Sequence, residues 1–386
     1  MIITQVLDYF NLFTHCNLIG TTGSGKTTYL LAIIKDLIMK HRNNNIIFID
    51  GKNDPDLVIK LQDLCNQYDY NFHHYRNDEN NHGNFTYDYL HHKSYSEIKE
   101  IILRLRAKDI SSVSLGANYY FEKTNNLLFL IVRSLIYSKV DVSWTNILNY
   151  CNKKNLYEIL NKDLDYHEYA SFDLNVYSDA ITFIKKNCEQ HISDENLHSI
   201  KELINTSNNV ILFSLDFLSS QEESKQLAQA ICIDIRQSIK YKHHDLFCCL
   251  DEFGSYINSD LQSLITQGRS YHVSMILSYQ SLGQLNKPEF KNIIFDNTNN
   301  WFVFNVKHEQ SAKELALLFG MTKSYDLGYK VNLTNDEIVA NTASLKQTDT
   351  YAVSPNEIKM LLPMQCFIKT LKVPRFFSKG INKQDN

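Results

Sequence analysis

Residues 20–27 read GTTGSGKT and are followed by Thr28, which matches the pattern G-x-x-x-x-G-K-[ST] in full. The apolar residues 16–19 before them predict a short buried strand, and residues 27–39 after them predict a helix. A glycine-rich turn that opens a helix directs successive N–H groups, and the positive end of the helix dipole, toward one point. The flanking elements therefore favour a phosphate-binding loop over an ordinary glycine-rich turn.

This loop predicts a site for a nucleoside triphosphate and Mg²⁺. The Lys26 ammonium would reach the β- and γ-phosphates, and the Thr27 hydroxyl would bind Mg²⁺. We expect the nucleotide to be contacted by Gly20, Thr21, Thr22, Gly23, Ser24, Gly25, Lys26, Thr27 and Thr28.

A second apolar run ends in two carboxylates. Residues 246–250 read LFCCL, as a central strand of a parallel sheet should, and Asp251 and Glu252 follow. Ligands gather at the carboxyl ends of such strands. We expect Asp251 to be the metal-side carboxylate and Glu252 the general base for a water molecule. A solvated loop is the alternative, and the phosphate loop upstream favours the functional interpretation.

Apolar runs alternate with amphipathic segments in the manner of βαβ units, which predicts an α/β fold with a mostly parallel sheet flanked by helices. Further strands are predicted at residues 45–50, 210–214 and 273–278. Between residues 91 and 207, apolar residues recur with the spacing of helices. We therefore predict a discontinuous nucleotide-binding domain, residues 1–90 and 208–386, and an all-α insertion domain, residues 91–207.

Two polar residues near the strand at 273–278 have open interpretations. Gln280 follows the strand and is either an amide that senses the γ-phosphate or a loop glutamine. Arg269 precedes it in a turn and is either a finger acting on a neighbouring subunit's nucleotide or a surface arginine. Farther upstream, Ser220 and Glu223 have the spacing of a helix capping box.

Composition constrains the partners only weakly. The 386 residues carry a net charge of -4, so any nucleic-acid contact must come from a local surface or an assembled channel. We find no membrane-spanning segment and expect a cytoplasmic protein. The histidine doublets at 73–74, 91–92 and 243–244 have no second cluster at metal-ligand spacing, and we interpret them as solvated loop residues.

Together these segments resemble the conjugative coupling proteins of type IV secretion systems, the TraD/TraG type, within the FtsK/HerA superfamily of hexameric DNA-pumping ATPases. The similar stretches are HCNLIGTTGSGKTTYL (15–30), IDGKNDPDL (49–57), CLDEFG (249–254), QGRSYHVSMILSYQSLGQL (267–285), SAKELALLFG (311–320) and SPNEIKMLLP (354–363). In the second of them, Gly51 precedes the lysine, where the family has a glycine after it.

The resemblance implies a RecA/FtsK-like P-loop fold with ATP and Mg²⁺ as cofactors. It makes Lys26 and Thr27 phosphate and Mg²⁺ ligands, Asp251 and Glu252 the metal and water residues, Gln280 a γ-phosphate sensor and Arg269 an arginine finger. A homo-hexamer would thread single- or double-stranded DNA and would contact relaxosome or secretion-channel proteins. The family's N-terminal membrane helices, first strands and long acidic C-terminal tail are not found in this sequence, which fits either a soluble variant recruited by partner proteins or a truncated coding sequence. Any location at the inner membrane is expected to be peripheral and through partners.

Two alternatives stay open. One is a soluble FtsK/HerA-like translocase acting on duplex DNA away from any secretion channel. The other is a non-hydrolysing nucleotide-binding adaptor that gathers secretion substrates on its helical insertion, which the presence of both Asp251 and Glu252 disfavours.

Overall fold

The computed structural model describes residues 14–76, 83–106, 115–160, 167, 169–188, 197–285, 288–334, 337–371 and 376–378. By its internal contacts the chain divides into two compact units. The first unit combines Met1–Asp36 with Ile276–Asn386, and the second is the continuous segment Leu37–Met275.

The first unit contains the strand that leads into the phosphate loop. This strand, β1 (His15–Ile19), lies between β8 (Val273–Tyr279) and β9 (Thr298–Val303) and is parallel to both. On the far side of β9, β12 (Cys366–Lys369) and then β13 (Phe376–Ser378) continue the sheet in antiparallel fashion. Every residue of β1 is buried, which agrees with the apolar side chains of Cys16, Leu18 and Ile19 in this strand.

Helices and a long hairpin complete the first unit. Helix α1 (Lys26–Lys40) starts here, and the later elements are α11 (Pro288–Asn297), α12 (Glu309–Leu318), β10 (Met321–Thr334), β11 (Glu337–Tyr351) and α13 (Pro355–Lys359). Strands β10 and β11 pair with each other in an antiparallel hairpin, which our sequence analysis did not anticipate. Near the base of the hairpin most described side chains are exposed on both faces. Tyr325, Leu327, Tyr329, Val331 and Leu333 alternate with polar residues or glycine, a strand pattern that the prediction overlooked.

The second unit is built on parallel strands in the order β7 (Asp245–Leu250), β2 (Asn44–Asp50), β6 (Asn209–Ser214) and β3 (Asn71–Arg76). Strands β2 and β6 are buried along their entire length. Parallel strands covered on both faces require continuous apolar runs, and the sequences NNIIFID and NVILFS meet this requirement.

Helices surround these strands and also fill the segment between β3 and β6. In chain order they are α2 (Pro55–Tyr68), α3 (Tyr95–Arg106), α4 (Leu115–Tyr137), α5 (Trp144–Tyr150), α6 (Lys153–Ile159), α7 (Leu174–Cys188), α8 (Ile200–Leu203), α9 (Gln221–Ser238) and α10 (Ser259–Gln267). A short parallel pair, β4 (Thr86–Tyr87) with β5 (Leu197–His198), lies at the two ends of the helical segment. The division into domains 1–90 with 208–386 and 91–207 stays a prediction.

The predicted capping box at the start of α9 is wrong. Ser220 makes no side-chain cap, and its hydroxyl donates to the carbonyl of Asp216 at 3.2 Å. The Asp216 carboxylate also accepts a hydrogen bond from the N–H of Ser219 at 2.9 Å. Ser220 is therefore bonded to the turn before the helix and not to the N–H groups of the helix. Sequence spacing places a serine near the helix start, but the path of the chain before the helix decides where its hydroxyl points.

A buried ionic network joins both ends of the helical segment to α9. Lys93 and Asp234 are fully buried and form an ion pair at 2.5 Å. The other Asp234 oxygen accepts from the hydroxyl of Tyr87 at 2.8 Å and from the N–H of Ile200 at 3.4 Å. Residues before and after the helical segment therefore share one buried carboxylate.

The predicted fold class is confirmed: the chain is α/β, with a mostly parallel sheet flanked by helices. None of the described helices is long and apolar enough to cross a bilayer.

Candidate functional site

The phosphate loop joins the buried end of β1 to the first turn of α1. Gly23 and Gly25 have φ values of +76° and +105°, in the left-handed region that glycine tolerates best. Helix α1 has no acidic residue in its first turn, so the positive potential of its N-terminus is not offset there by a carboxylate of the helix itself. Thr27 and Thr28 lie half-buried in that turn. The loop has the curvature and the positive potential that an anionic phosphate requires.

Lys26 folds back over the loop. Its side chain is buried, and the ammonium donates hydrogen bonds to the carbonyl oxygens of Gly20 at 2.6 Å and Thr21 at 3.1 Å. Close by, the hydroxyl of Ser24 is buried and has no hydrogen-bond partner among the described residues. A buried ammonium and a buried hydroxyl in one loop suit the phosphate oxygens of a nucleotide, so the residues fit the cofactor that the sequence implies.

The loop is supported by residues far away in the sequence. The N–H of Thr21 donates to the carbonyl of Asn305 at 2.8 Å, and the N–H of Met364 donates to the carbonyl of Ser24 at 2.9 Å. The hydroxyl of Tyr29 donates to the carbonyl of Met364 at 3.0 Å. Neither Asn305 nor Met364 carries a local signal in the sequence that relates it to the loop, so neither was predicted.

Gly25 offers a direct test of this support. A Cβ atom on Gly25 would lie 2.6 Å from the Met364 sulfur and 3.2 Å from its Cα, at a φ that side chains rarely adopt. We therefore expect Gly25→Ala to lower the free energy of unfolding by about 1–3 kcal/mol, measured by chemical denaturation. Gly283→Ala is the control, because the nearest atom to its Cβ would be 3.6 Å away. Equal stabilities of the two variants would contradict the role of Met364.

The acidic pair follows β7 in the second unit. Asp251 is completely buried, and its N–H donates to the carbonyl of Ile49 at 2.9 Å, which continues the pairing with β2. Glu252 is also buried and has φ +51° and ψ 32°, a left-handed conformation that is costly for a residue with a side chain. A Cβ on Gly51 would lie 3.2 Å from the Asp251 carbonyl oxygen and 3.2 Å from the Glu252 Cβ, which explains a glycine before the lysine.

Lys52 is the cation of this acidic site. Its ammonium lies 2.9 Å from Asp251 Oδ2 and 3.1 Å from Glu252 Oε1. Burial lowers the pKa of Lys52, but the charges and hydrogen bonds of the two carboxylates outweigh it and hold the pKa above its usual value. Burial also raises the pKa of Asp50 to about 6, against the N–H groups of Asp54 and Lys52, which lower it. No role was predicted for Lys52 from the sequence.

We expect the removal of this cation to destabilise the second unit. In Lys52→Met the carboxylates of Asp251 and Glu252 stay buried without the ammonium, which should lower the unfolding free energy by about 1–3 kcal/mol. The lower end applies if solvent screens the site, because the Lys52 side chain is 37% exposed. Added Mg²⁺ should restore part of the loss by replacing the lost positive charge.

The control for this variant is Lys225→Met, which breaks a 2.9 Å ion pair with the exposed Glu222. An exposed pair of this kind contributes at most about 1 kcal/mol, so the control should remain close to the wild type. If both variants unfolded at the same denaturant concentration, Lys52 would not be the required counterion.

The structure brings the predicted Asp251 and Glu252 together with Lys52, and it brings Lys26 together with Gly20 and Thr21 in the phosphate loop. Arg269 is exposed in a turn at the end of α10 and makes no ion pair within the described part of the chain. Gln280 follows β8 and is half-buried, and its N–H donates to Oε1 of Gln284 at 2.8 Å. The roles of Arg269 and Gln280 stay predictions.

Two family models match consecutive parts of the chain. Residues 3–235 match the central domain of helicase HerA, and residues 245–362 match the domain described as the TraM recognition site of TraD and TraG. An uncharacterized protein of Mycoplasma pneumoniae is 30% identical over an alignment of 105 residues, and the match covers 25% of this chain and 70% of that protein.

Solved structures with a similar fold include the bacterial conjugative coupling protein TrwBdeltaN70 in its unbound form, with 15% identity and a TM-score of 0.66 over 96% of this chain and 85% of that one. TrwB in complex with ADP and Mg²⁺ has 14% identity and a TM-score of 0.63 over 96% and 87% of the two chains. VirB4 of Thermoanaerobacter pseudethanolicus has 10% identity and a TM-score of 0.58 over 96% and 92%.

The structural likenesses establish the P-loop NTPase fold, and the helicase HerA model extends over more than half of the sequence. In its C-terminal part this chain carries the TraD/TraG-type domain. The chain belongs to the HerA family and is a TraD/TraG-type member of the FtsK/HerA superfamily.

Proposed function

We propose that this chain is an ATP-driven motor that moves DNA or nucleoprotein toward a type IV secretion channel. The observation that carries the proposal is the phosphate loop, in which the buried Lys26 ammonium lies at the N-terminus of a helix without acidic residues in its first turn. The match to the domain named for TraD and TraG supports the coupling type of motor over other P-loop enzymes. TrwB, a coupling protein of similar fold, was solved with ADP and Mg²⁺.

In the proposed mechanism the loop residues hold the phosphates. Lys26 exchanges its carbonyl partners for β- and γ-phosphate oxygens, which as anions are stronger acceptors than Gly20 and Thr21. The Thr27 hydroxyl and, through water, Asp251 would hold Mg²⁺. When bound, Mg²⁺ would neutralise the negative charge that develops between the β- and γ-phosphates.

Glu252 is the proposed general base. Its carboxylate would orient the attacking water and accept its proton, for which it must be ionised. The Lys52 ammonium lies 3.1 Å from Glu252 Oε1 and fixes the direction of the side chain. Gln280 is proposed as the amide that senses the γ-phosphate.

The proposed assembly is a ring of six copies around DNA. Arg269 would act on the nucleotide of the adjacent subunit, for which an exposed guanidinium at the end of a helix is suited. Repetition around a ring can line a pore with positive charge in spite of the net charge of -4 per chain. Relaxosome or secretion-channel proteins are the proposed partners, and residues 245–362 are their proposed docking region.

Steady-state ATP hydrolysis tests the motor. We expect hydrolysis by the wild-type chain, stimulation by single- or double-stranded DNA, and loss of both in Lys26→Ala. Glu252→Gln should still bind ATP but turn over at least about 100-fold more slowly, because it cannot accept the proton. If Glu252→Gln supported function unchanged, the non-hydrolysing adaptor would be the better description. A strict requirement for duplex DNA, without response to secretion-channel partners, would favour the soluble translocase.

Mixed rings test whether Arg269 acts between subunits. Lys26→Ala and Arg269→Ala should each abolish hydrolysis when present alone. In a mixture, some interfaces combine an intact Lys26 with an intact Arg269 from the neighbour, so we expect part of the wild-type rate to return. The control mixture of Lys26→Ala with Glu252→Gln should recover nothing, because both residues serve the same subunit's nucleotide. Activity of Arg269→Ala alone would exclude the finger.

A further inference from the structure

Two neighbouring histidines and a glutamate that is distant in sequence converge in the second unit. One ligand-type atom from each of His91, His92 and Glu202 lies within 4.8 Å of the others. His92 Nε2 is 3.0 Å from Glu202 Oε1, and the centroids of the two imidazole rings are 3.9 Å apart. Our interpretation of this doublet as solvated loop residues overlooked Glu202, because the carboxylate comes from the opposite end of the helical segment.

The doublet is held by a turn with a buried anchor. The N–H of His91 donates to the carbonyl of Asp88 at 3.2 Å, and His92 has φ +55°, a left-handed conformation that turns the chain. The next residue, Lys93, is fixed by its buried ion pair with Asp234 at 2.5 Å. The backbone that carries both imidazoles is therefore anchored on the core of the unit.

Glu202 is equally well oriented. It occupies the third position of helix α8, where its Oε2 accepts from the N–H of Ser199 at 3.1 Å in a capping box. This leaves Oε1 on the side of His92. The first residue of the same helix, Ile200, donates its N–H to Asp234 at 3.4 Å, so both halves of the cluster are anchored on one carboxylate.

We propose that His91, His92 and Glu202 bind a divalent transition metal of the zinc type. Two imidazoles with one carboxylate are a common donor set for Zn²⁺, whereas Mg²⁺ and Ca²⁺ prefer oxygen ligands alone. Three protein ligands leave a coordination position for water, and the exposure of His92, 56%, provides access for the ion. The capping bond to Ser199 fixes the liganding carboxylate, as outer partners do in known metal sites.

A neighbouring cation is compatible with this site. The ammonium of Lys201 donates to the carbonyl of His92 at 3.3 Å and lies 4.1 Å from the centroid of the Tyr241 ring. Its contacts with a backbone oxygen and an aromatic face are independent of the imidazole nitrogens and of the Glu202 carboxylate. Metal binding therefore does not require this ion to be displaced from a carboxylate partner.

A metal here would join the two ends of the helical segment α3–α7. Closing the chain between residues 91 and 202 at the metal would remove conformational freedom from the opened state of that segment. The metal would cross-link the two ends of the segment next to the buried Asp234 network. This stabilising role would be independent of nucleotide hydrolysis. The inference thus goes beyond the proposed function and can fail or succeed separately.

The test is zinc titration of the full chain after treatment with a chelator, in the presence of excess Mg²⁺ and followed by calorimetry. We expect one Zn²⁺ per chain with the wild type, and an affinity that falls by about 100-fold in His91→Ala and by at least about 10-fold in Glu202→Gln. Co²⁺ should report the same site through its visible absorption spectrum. Zinc should also raise the unfolding temperature of the wild type.

The matched control is the other doublet, His243→Ala with His244→Ala, which should leave the zinc affinity unchanged. Circular dichroism of each metal-free variant distinguishes the loss of a ligand from the loss of the fold. Glu252→Gln should bind zinc normally, which separates this site from the nucleotide site. Zinc affinity that is unchanged in His91→Ala or in Glu202→Gln, or that falls in the His243 and His244 control, would overturn the proposal.

Discussion

The second unit buries carboxylates at the ends of two adjacent strands, and its structure depends on how their negative charge is neutralised. Asp50 ends β2, and Asp251 and Glu252 follow β7, all with little or no exposure. Isolated ions at such positions would cost more than packing could return. The ammonium of Lys52 and the N–H groups of the turn at residues 50–54 offset that cost. The turn therefore has its conformation because it must neutralise the strand ends.

The same physical requirement appears at two other places. Lys93 and Asp234 neutralise each other inside the second unit, where Tyr87, Ile200 and Ser238 complete the hydrogen bonds of the carboxylate. In the phosphate loop the buried ammonium of Lys26 is held by carbonyl oxygens, which carry only a partial negative charge. An anionic phosphate is a stronger acceptor, so the loop is suited to exchange those partners. Buried charge thus stabilises one region and prepares another for a ligand.

Sequence reasoning was accurate where one short segment contains the whole signal. Strands β1, β2, β6, β7 and β8 were predicted within one or two residues, because parallel strands buried on both faces require unbroken apolar runs. It failed where contacts come from distant residues, and it failed at the strand pair β10–β11. Met364 and Asn305 support the phosphate loop from the C-terminal part of the chain. In β10 the alternation of Tyr325, Leu327, Tyr329, Val331 and Leu333 with polar residues or glycine was overlooked. The capping box at Ser220 failed because the preceding turn took its hydroxyl.

By itself the sequence determined the α/β class, the phosphate loop and the acidic strand end, since each depends on local spacing and on the period of apolar residues. Only the tertiary structure decided which cation neutralises Asp251 and Glu252, and which distant residues support the phosphate loop by hydrogen bonds. It also brought Glu202 to His91 and His92. These are contacts between residues far apart in the chain, and no periodicity encodes them. They arise when strands and helices pack, because buried polar groups must then find their partners.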